Sequence, residues 1–383
     1  METAPRGMCL ALLAVAQVVA WGVLYYAVLV AAPAIAEDTG WDDGLIFVAI
    51  TLGLLTSAAC AIPVGHWLDR HPRRLMVIGS LVATVALIGA AASPTIWIFA
   101  AAWIVCGAAQ SAVLYQAAFT VITHRYRSER RGPLTLVTLA GGLASTIFAP
   151  LMGWLVLELG WRMAFVVLAA MLIAVVLPAY ALSVETRWPH LDTGATGNGE
   201  ARRVLRSARF WIVAGAFALM SFSLYAVTLS AVPASVEKGL DLQTAAWVLG
   251  LIGAGQVFGR LLYLAIPHTS APWIAPTSVG VLGAAALTVF GFASGIVGIF
   301  VAGIVAGAIR GALTLVQASA VADRWGVHSY GKLNGVLAAP VTALTALAPG
   351  LAALMAGAVG SYASMAFAMA AVCALGGALA VRR

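Results

Sequence analysis

Arg260 and Arg310 are the residues whose type and setting could do chemistry. Arg310 is embedded in IFVAGIVAGAIRGALTLV and Arg260 in LGLIGAGQVFGRLLYLAI. A guanidinium in such surroundings is costly, on the order of 2.5–3.5 kcal/mol if it sits at the centre of a membrane-spanning helix, so its retention points to use. No Asp or Glu lies deep in any apolar run, which leaves neither arginine an obvious counter-ion from the chain itself. An anionic solute supplies one, because the planar fork of guanidinium donors matches a carboxylate or a phosphate. The bland alternatives are snorkelling of Arg260 to the membrane surface and capping of broken-helix carbonyls by Arg310.

Helical spacing groups polar neighbours with these cations. Gln256 with Arg260, and Thr314 and Gln317 with Arg310, fall on single helical stripes. Gln17, Trp21 and Tyr25 form a stripe near the N-terminus, and Ser221, Tyr225 and Thr228 form one in the second half. Tyr115 and Gln110 join them as candidate solute ligands. Each stripe either faces a wet cavity or holds helices together. Glu37 and Glu237 stand at outer span ends, where either a proton carrier or a plain solvated carboxylate is at home. No nucleophile constellation, metal-ligand spacing or phosphate loop is present, so neither an enzyme nor a metal or cofactor is expected. Cys9, Cys60, Cys106 and Cys373 read as small buried hydrophobes.

The elements that must position these residues are dictated by composition. With 62% hydrophobic residues, 9% charged and a mean hydropathy of +1.00, the chain cannot hide its apolar surface in a water-soluble globule. A bilayer core about 30 Å thick asks for about 20 apolar residues per helix. Twelve such spans are expected, at roughly 8–35, 44–66, 75–93, 95–122, 134–157, 163–184, 209–235, 242–266, 272–292, 295–322, 333–356 and 361–381. The first is longer than the apolar region of a signal peptide and no cleavage site precedes Glu37 and Asp38, so it is read as retained. Apart from Arg260 and Arg310 within spans, and Arg162 and Lys238 opposite, every Lys and Arg falls in the termini or in loops after even-numbered spans. By the positive-inside rule both termini are cytoplasmic, which requires an even number of spans. The net charge of +7 is thereby accounted for without nucleic acid. Trp97, Trp161, Trp211 and Trp273 near span ends read as an interfacial belt.

A polar interruption at 185–208 divides a six-span half, 1–184, from a second, 209–383. The second half echoes the first at an offset of about 200 residues. Leu24-Tyr25, Pro33-Ala34 and Glu37 match Leu224-Tyr225, Pro233-Ala234 and Glu237; Ile104-Val105 and Gly107-Ala108 match Ile304-Val305 and Gly307-Ala308; Ala149-Pro150 matches Ala348-Pro349. Two parallel six-helix halves are the plan of a rocker-type transporter, with the solute held between them.

After the second span the chain reads Gly65-His66-Trp67-Leu68-Asp69-Arg70-His71-Pro72-Arg73-Arg74. This resembles the Gly-x-x-x-Asp-Arg-x-Gly-Arg-Arg signature of the major facilitator superfamily, Pro72 standing where the family has Gly. The resemblance covers essentially the whole chain and implies an all-α membrane protein of twelve transmembrane helices in two pseudo-symmetric halves. It also implies a cytoplasmic gating latch at Gly65, Asp69, Arg70, Arg73 and Arg74, with Asp69 against a neighbouring helix end and basic partners.

Shorter pieces look like the monocarboxylate and oxalate/formate branch: Arg125-Tyr126, Arg130-Arg131-Gly132, Ala140-Gly141-Gly142, Phe148-Ala149-Pro150, Gly160-Trp161-Arg162, Gly255-Gln256-Val257-Phe258-Gly259-Arg260 and Ala322-Asp323-Arg324-Trp325-Gly326. Arg260 occupies the position of that branch's substrate-binding arginine. The drug/proton antiporter branch is the rival, and the chain departs from it at Ala149-Pro150 and at Gln110, where that branch has a Gly-Pro pair and an arginine. The expectation is a monomeric secondary transporter of a small organic anion, a carboxylate, in the cytoplasmic or inner membrane, its other partners being the lipid bilayer and a candidate coupling proton. The alternative is a drug or metabolite efflux pump that exchanges protons.

Overall fold

The computed structural model describes residues 6–184, 195–264, 271–327 and 329–381. Of the loop and terminal cations, Arg187, Arg382 and Arg383 lie outside them, as does most of the interruption before residue 195. Among the described residues every regular element is helical.

In chain order the spanning helices are α1 (Gly7–Thr39), α2 (Gly44–Leu68), α3 (Pro72–Ala91), α4 (Ile96–Glu129), α5 (131–159), α6 (161–183), α7 (Ala208–Leu229), α8 (Leu242–Tyr263), α9 (Ile274–Phe292), α10 (Gly295–Trp325), α11 (Tyr330–Val359) and α12 (Tyr362–Ala380). Among the described residues ten helical stretches are long and apolar enough to cross a membrane. The number becomes twelve because the 53-residue stretch Arg131–Ser183 turns at Gly160, whose φ of 74° is open to glycine, and because α8 carries the shorter apolar run Trp247–Tyr263. A further helix, Ala195–Arg206, precedes α7.

Helix starts follow local chemistry. Asp42, Thr95, Ser207, Asp241 and Ser361 each accept a backbone N–H from the first turn of the helix they precede. Pro72 sits in the first turn of α3, where a missing N–H costs nothing and a fixed φ already suits a helix. That position explains how Pro replaces Gly in the signature without breaking the turn.

The outward surface is apolar: Leu157 is 86% exposed, Val297 76%, Phe292 75% and Leu354 72%. Side chains of this kind belong in hydrocarbon rather than water. Trp97 and Trp211 are exposed at span ends as a belt requires, but Trp161 is only 3% exposed. Its indole nitrogen donates to Asp38 at 2.9 Å and its ring packs on Trp41, Phe99 and Phe165. Trp161 is therefore a packing residue, because the Gly160 turn folds it back into the bundle.

Helix contacts divide the chain into two compact units, Met1–Asn198 with Val327–Ala339, and Gly199–Gly326 with Pro340–Arg383. In the first unit α2 packs along α4, α3 on α4 and α6, and α1 on α5 and α6; in the second α8 packs along α10, α9 on α12, and α12 on α7. Lipid offers helices no hydrophobic drive to associate, so these contacts rest on close backbone approach. On α8 the absent side chain of Gly259 is what admits the Ala308 backbone of α10, and on α4 that of Gly107 admits the Gly53 backbone of α2.

Candidate functional site

In the second unit, Arg310 reaches from α10 to α7. Its guanidinium carbon lies 3.7 Å from the centre of the Tyr225 ring, and its Nη1 donates to Thr228 Oγ1 at 3.0 Å. Neither partner is a carboxylate, and the Nε is buried without a hydrogen-bond partner. The unit's carboxylates are Glu200, Glu237, Asp241 and Asp323. Glu237 accepts the first N–H of α12 and Asp241 caps α8. Asp323 is on the helix of Arg310, but the intervening 323 − 310 = 13 residues amount to about 20 Å of rise. Arg310 is thus a cation held by an aromatic face and a hydroxyl, with no acid among the described residues bonded to it.

Arg260 is 6% exposed on α8, the helix that packs along the α10 of Arg310. The α8–α10 contact is close, since Gly311, next to Arg310, lies against the backbone of Gln256. Thr314 turns its hydroxyl back to the Arg310 carbonyl at 3.2 Å, while Gln256 and Gln317 are half-buried on the same two helices. The structure thus brings Arg310, Tyr225 and Thr228 together, with Arg260 on the neighbouring helix, and Thr228, a stripe member in the sequence, makes the direct bond.

In the first unit the polar stripe has other work. The α4 helix breaks at Leu114, whose extended ψ of −162° leaves the Val113 carbonyl outside the helical ladder. Gln17 Nε2 donates to that carbonyl at 2.8 Å and Tyr180 Oη at 2.6 Å, and Gln17 also donates to Tyr180. Gln110 Nε2 donates to the Leu24 carbonyl at 2.8 Å, and Tyr115 Oη to that of Thr138 at 3.1 Å. Gln17 and Gln110 thus splice broken helices together. The repeat offset pairs Gln110 with Arg310 and Tyr25 with Tyr225, so one half carries a neutral amide where the other carries a cation.

The loop signature closes on itself within the first unit. Asp69 accepts the N–H groups of Gly331 at 2.6 Å and Lys332 at 2.8 Å, the first turn of α11, and its Oδ1 lies 3.0 Å from His124 Nε2 on α4. A helix N-terminus carries partial positive charge and free amides, so a carboxylate is well placed there. Gly65 lets α2 approach Gly331 and Gly335. The basic partner of Asp69 is His124, which sequence reasoning did not single out. Arg73 instead donates its Nε to the Ala181 carbonyl at 2.8 Å, at the C-terminal end of α6, while Arg70 is half-buried and Arg74 exposed. Glu37 is exposed and Glu237 is a helix cap.

The comparisons with known proteins fit this architecture. The family profile described as the Major Facilitator Superfamily matches residues 10–269. No curated protein matches the chain in sequence. Among solved structures the chain is similar to the E. coli fucose:proton symporter FucP, with a TM-score of 0.74 at 16% identity, covering 97% of each chain. It is also similar to the human organic anion transporter MFSD10 (TETRAN), with a TM-score of 0.77 at 15% identity over 99% of this chain and 100% of that one. At these identities the likeness is one of fold. With the profile spanning well over half of a chain built from twelve apolar helices, the protein belongs to the Major Facilitator Superfamily and is a membrane transporter, not an enzyme.

Proposed function

We propose that this protein is a secondary transporter that moves a small organic anion, a carboxylate, across the cytoplasmic membrane by alternating access, with Arg310 and Arg260 holding the negative charge. The observation that carries the reading is Arg310: a guanidinium within a spanning helix whose bonded partners, Thr228 and Tyr225, are not carboxylates. A structural arginine at such depth is ordinarily matched by a carboxylate or by backbone carbonyls. A solute carboxylate completes the charge and takes the unused donors, and the low dielectric of the span strengthens the bond. The resemblance to the monocarboxylate and oxalate/formate branch supports the same assignment through Arg260.

The test is thermal stabilisation of the purified protein by a panel of small carboxylates, phosphorylated acids and cationic drugs, since a solute that binds the folded state raises its apparent stability. The expected result is stabilisation by one class of carboxylate, lost in Arg310→Ala and Arg260→Ala. Stabilisation by cations or neutral drugs alone, unchanged in both variants, overturns the anion reading in favour of an efflux pump.

A further inference from the structure

The helix Ala195–Arg206 that precedes α7 has two unlike faces. At about 100° per residue, Arg202, Arg203 and Arg206 fall within one arc of the helix, and Ala201, Val204 and Leu205 fall on the opposite side. Burial follows that division: the three arginines are exposed, whereas Ala201 is 2% exposed and Val204 and Leu205 are half-buried. Arg209, in the first turn of α7, is exposed as well. Over 199–211 the one carboxylate is that of Glu200. Among the described residues no carboxylate forms an ion pair with any of the four arginines, so the patch keeps a net positive charge.

The patch is fixed at the mouth of a spanning helix. Ser207 donates its hydroxyl to the Val204 carbonyl at 2.6 Å and accepts the Phe210 N–H at 3.3 Å, joining the two helices through one residue. Trp211 reaches back across the joint, its indole N–H donating to the Leu205 carbonyl at 2.9 Å. The Phe210 ring packs on Trp325 at the end of α10, 5.3 Å between centroids. Trp211 is nevertheless 52% exposed. An exposed indole in the first turn of an apolar span, with its N–H already spent, belongs at the boundary between headgroups and hydrocarbon. That boundary puts Arg209, two residues earlier, at the level of lipid phosphates. Three residues of chain keep Arg206 within about 11 Å of it. A charge run that is merely solvated needs no such joint, and cations that only orient the chain during insertion need no indole beside them.

We propose that Arg202, Arg203, Arg206 and Arg209, with Trp211 beneath them, form a docking surface for the headgroups of anionic phospholipids. The guanidinium forks pair with the phosphate, and the indole lies against the upper part of an acyl chain. A lipid is the occupant this pairing selects, since it offers charge and, within one turn of α7, apolar surface for the chain that follows the headgroup. The surface does not rest on the anion reading: the 19 residues from Arg209 to Thr228, the partner of Arg310, amount to about 28 Å of rise along α7.

The experiment uses the full-length protein in nanodiscs of phosphatidylcholine, into which brominated phosphatidylglycerol or brominated phosphatidylcholine is titrated. Bromine quenches nearby indoles, and the Trp211 emission is the difference between each protein and its Trp211→Phe counterpart. Each arginine in reach of a headgroup contributes about a fivefold preference, so half-quenching of Trp211 should need about 25-fold less phosphatidylglycerol than phosphatidylcholine. Arg206→Gln combined with Arg209→Gln should bring the two lipids within about fivefold of each other. Arg206→Lys combined with Arg209→Lys keeps the charge and should retain most of the preference, which separates loss of the headgroup contact from damage to the joint. Equal quenching by the two lipids in the parent, or a preference that survives the glutamine pair, overturns the proposal. Loss of the preference in the lysine pair as complete as in the glutamine pair does the same. So does relief of phosphatidylglycerol quenching by a soluble hexaglutamate peptide, which would make the patch a site for an acidic partner outside the membrane.

Discussion

Replacing Arg310 with methionine should leave stability nearly unchanged while weakening anion binding. The side chain loses a charge-assisted bond to Thr228, which contributes about 1.5–3 kcal/mol net, and a cation–π contact with Tyr225, about 1–2 kcal/mol where water is excluded. Against these stands the cost of holding a guanidinium at membrane depth, about 2.5–3.5 kcal/mol. The terms largely cancel, so the ligand-free variant should unfold within about 1 kcal/mol of the parent. Anion binding should fall steeply, because two charge-assisted hydrogen bonds at about 1.5–3 kcal/mol each are lost. Even the lower sum, about 3 kcal/mol, corresponds to roughly a 150-fold weaker Kd. Scanning fluorimetry without ligand gives the first quantity and titration with the best-bound carboxylate the second. A variant destabilised by more than about 2 kcal/mol whose Kd is unchanged would refute the argument, since Arg310 would then be a strut between α7 and α10.

Other outcomes follow from the contacts around the two units. Asp69→Ala should expose the amides of Gly331 and Lys332, raising their hydrogen-exchange rates selectively and lowering stability by about 2–4 kcal/mol, with Asp69→Asn intermediate. Gly259→Leu should force α8 away from the Ala308 backbone and cost about 1–3 kcal/mol or more, seen as a lowered unfolding midpoint. Lys238 donates to the carbonyls of Phe290, Gly291 and Ala293 at the end of α9. Its replacement by Met should cost about 1–2 kcal/mol by the same measurement, while Lys238→Arg recovers part of that loss.

The spans were legible because hydrocarbon imposes one requirement on twenty residues at a time, and composition over such a window averages away local accidents. The α8 helix was legible for the same reason although its apolar run is short. What was not legible came from backbone events that leave no compositional trace. Nothing in Val113-Leu114-Tyr115 announces a break, so the bonds from Gln17 to Tyr180 and to the carbonyl that the break releases could not be read from a helical stripe. His124 was missed because it stands more than fifty residues from Asp69, and only the packing of α2 against α4 brings them together. Trp161 read as a belt residue because its distance along the chain from the span end says nothing of the Gly160 turn that buries it. The arginines were the converse case: their unusual setting is visible in one dimension, and the structure added which tyrosine and which hydroxyl Arg310 meets.

The Asp69 capture of α11 uses two amides and no side chain of its partner. Gly331 and Lys332 are therefore read as backbone, and evolution can exchange the lysine for almost anything except proline without touching the bond. Gly331 is bound more tightly, because a methyl group there would press on the very carboxylate it serves. Among homologues such a closure should leave no correlated pair of substitutions, since the acid faces a glycine followed by a position whose side chain the bond does not use. Contact inference from covariation would pass over it, and mutational scanning of α11 would find it only through proline at Lys332 or a side chain at Gly331.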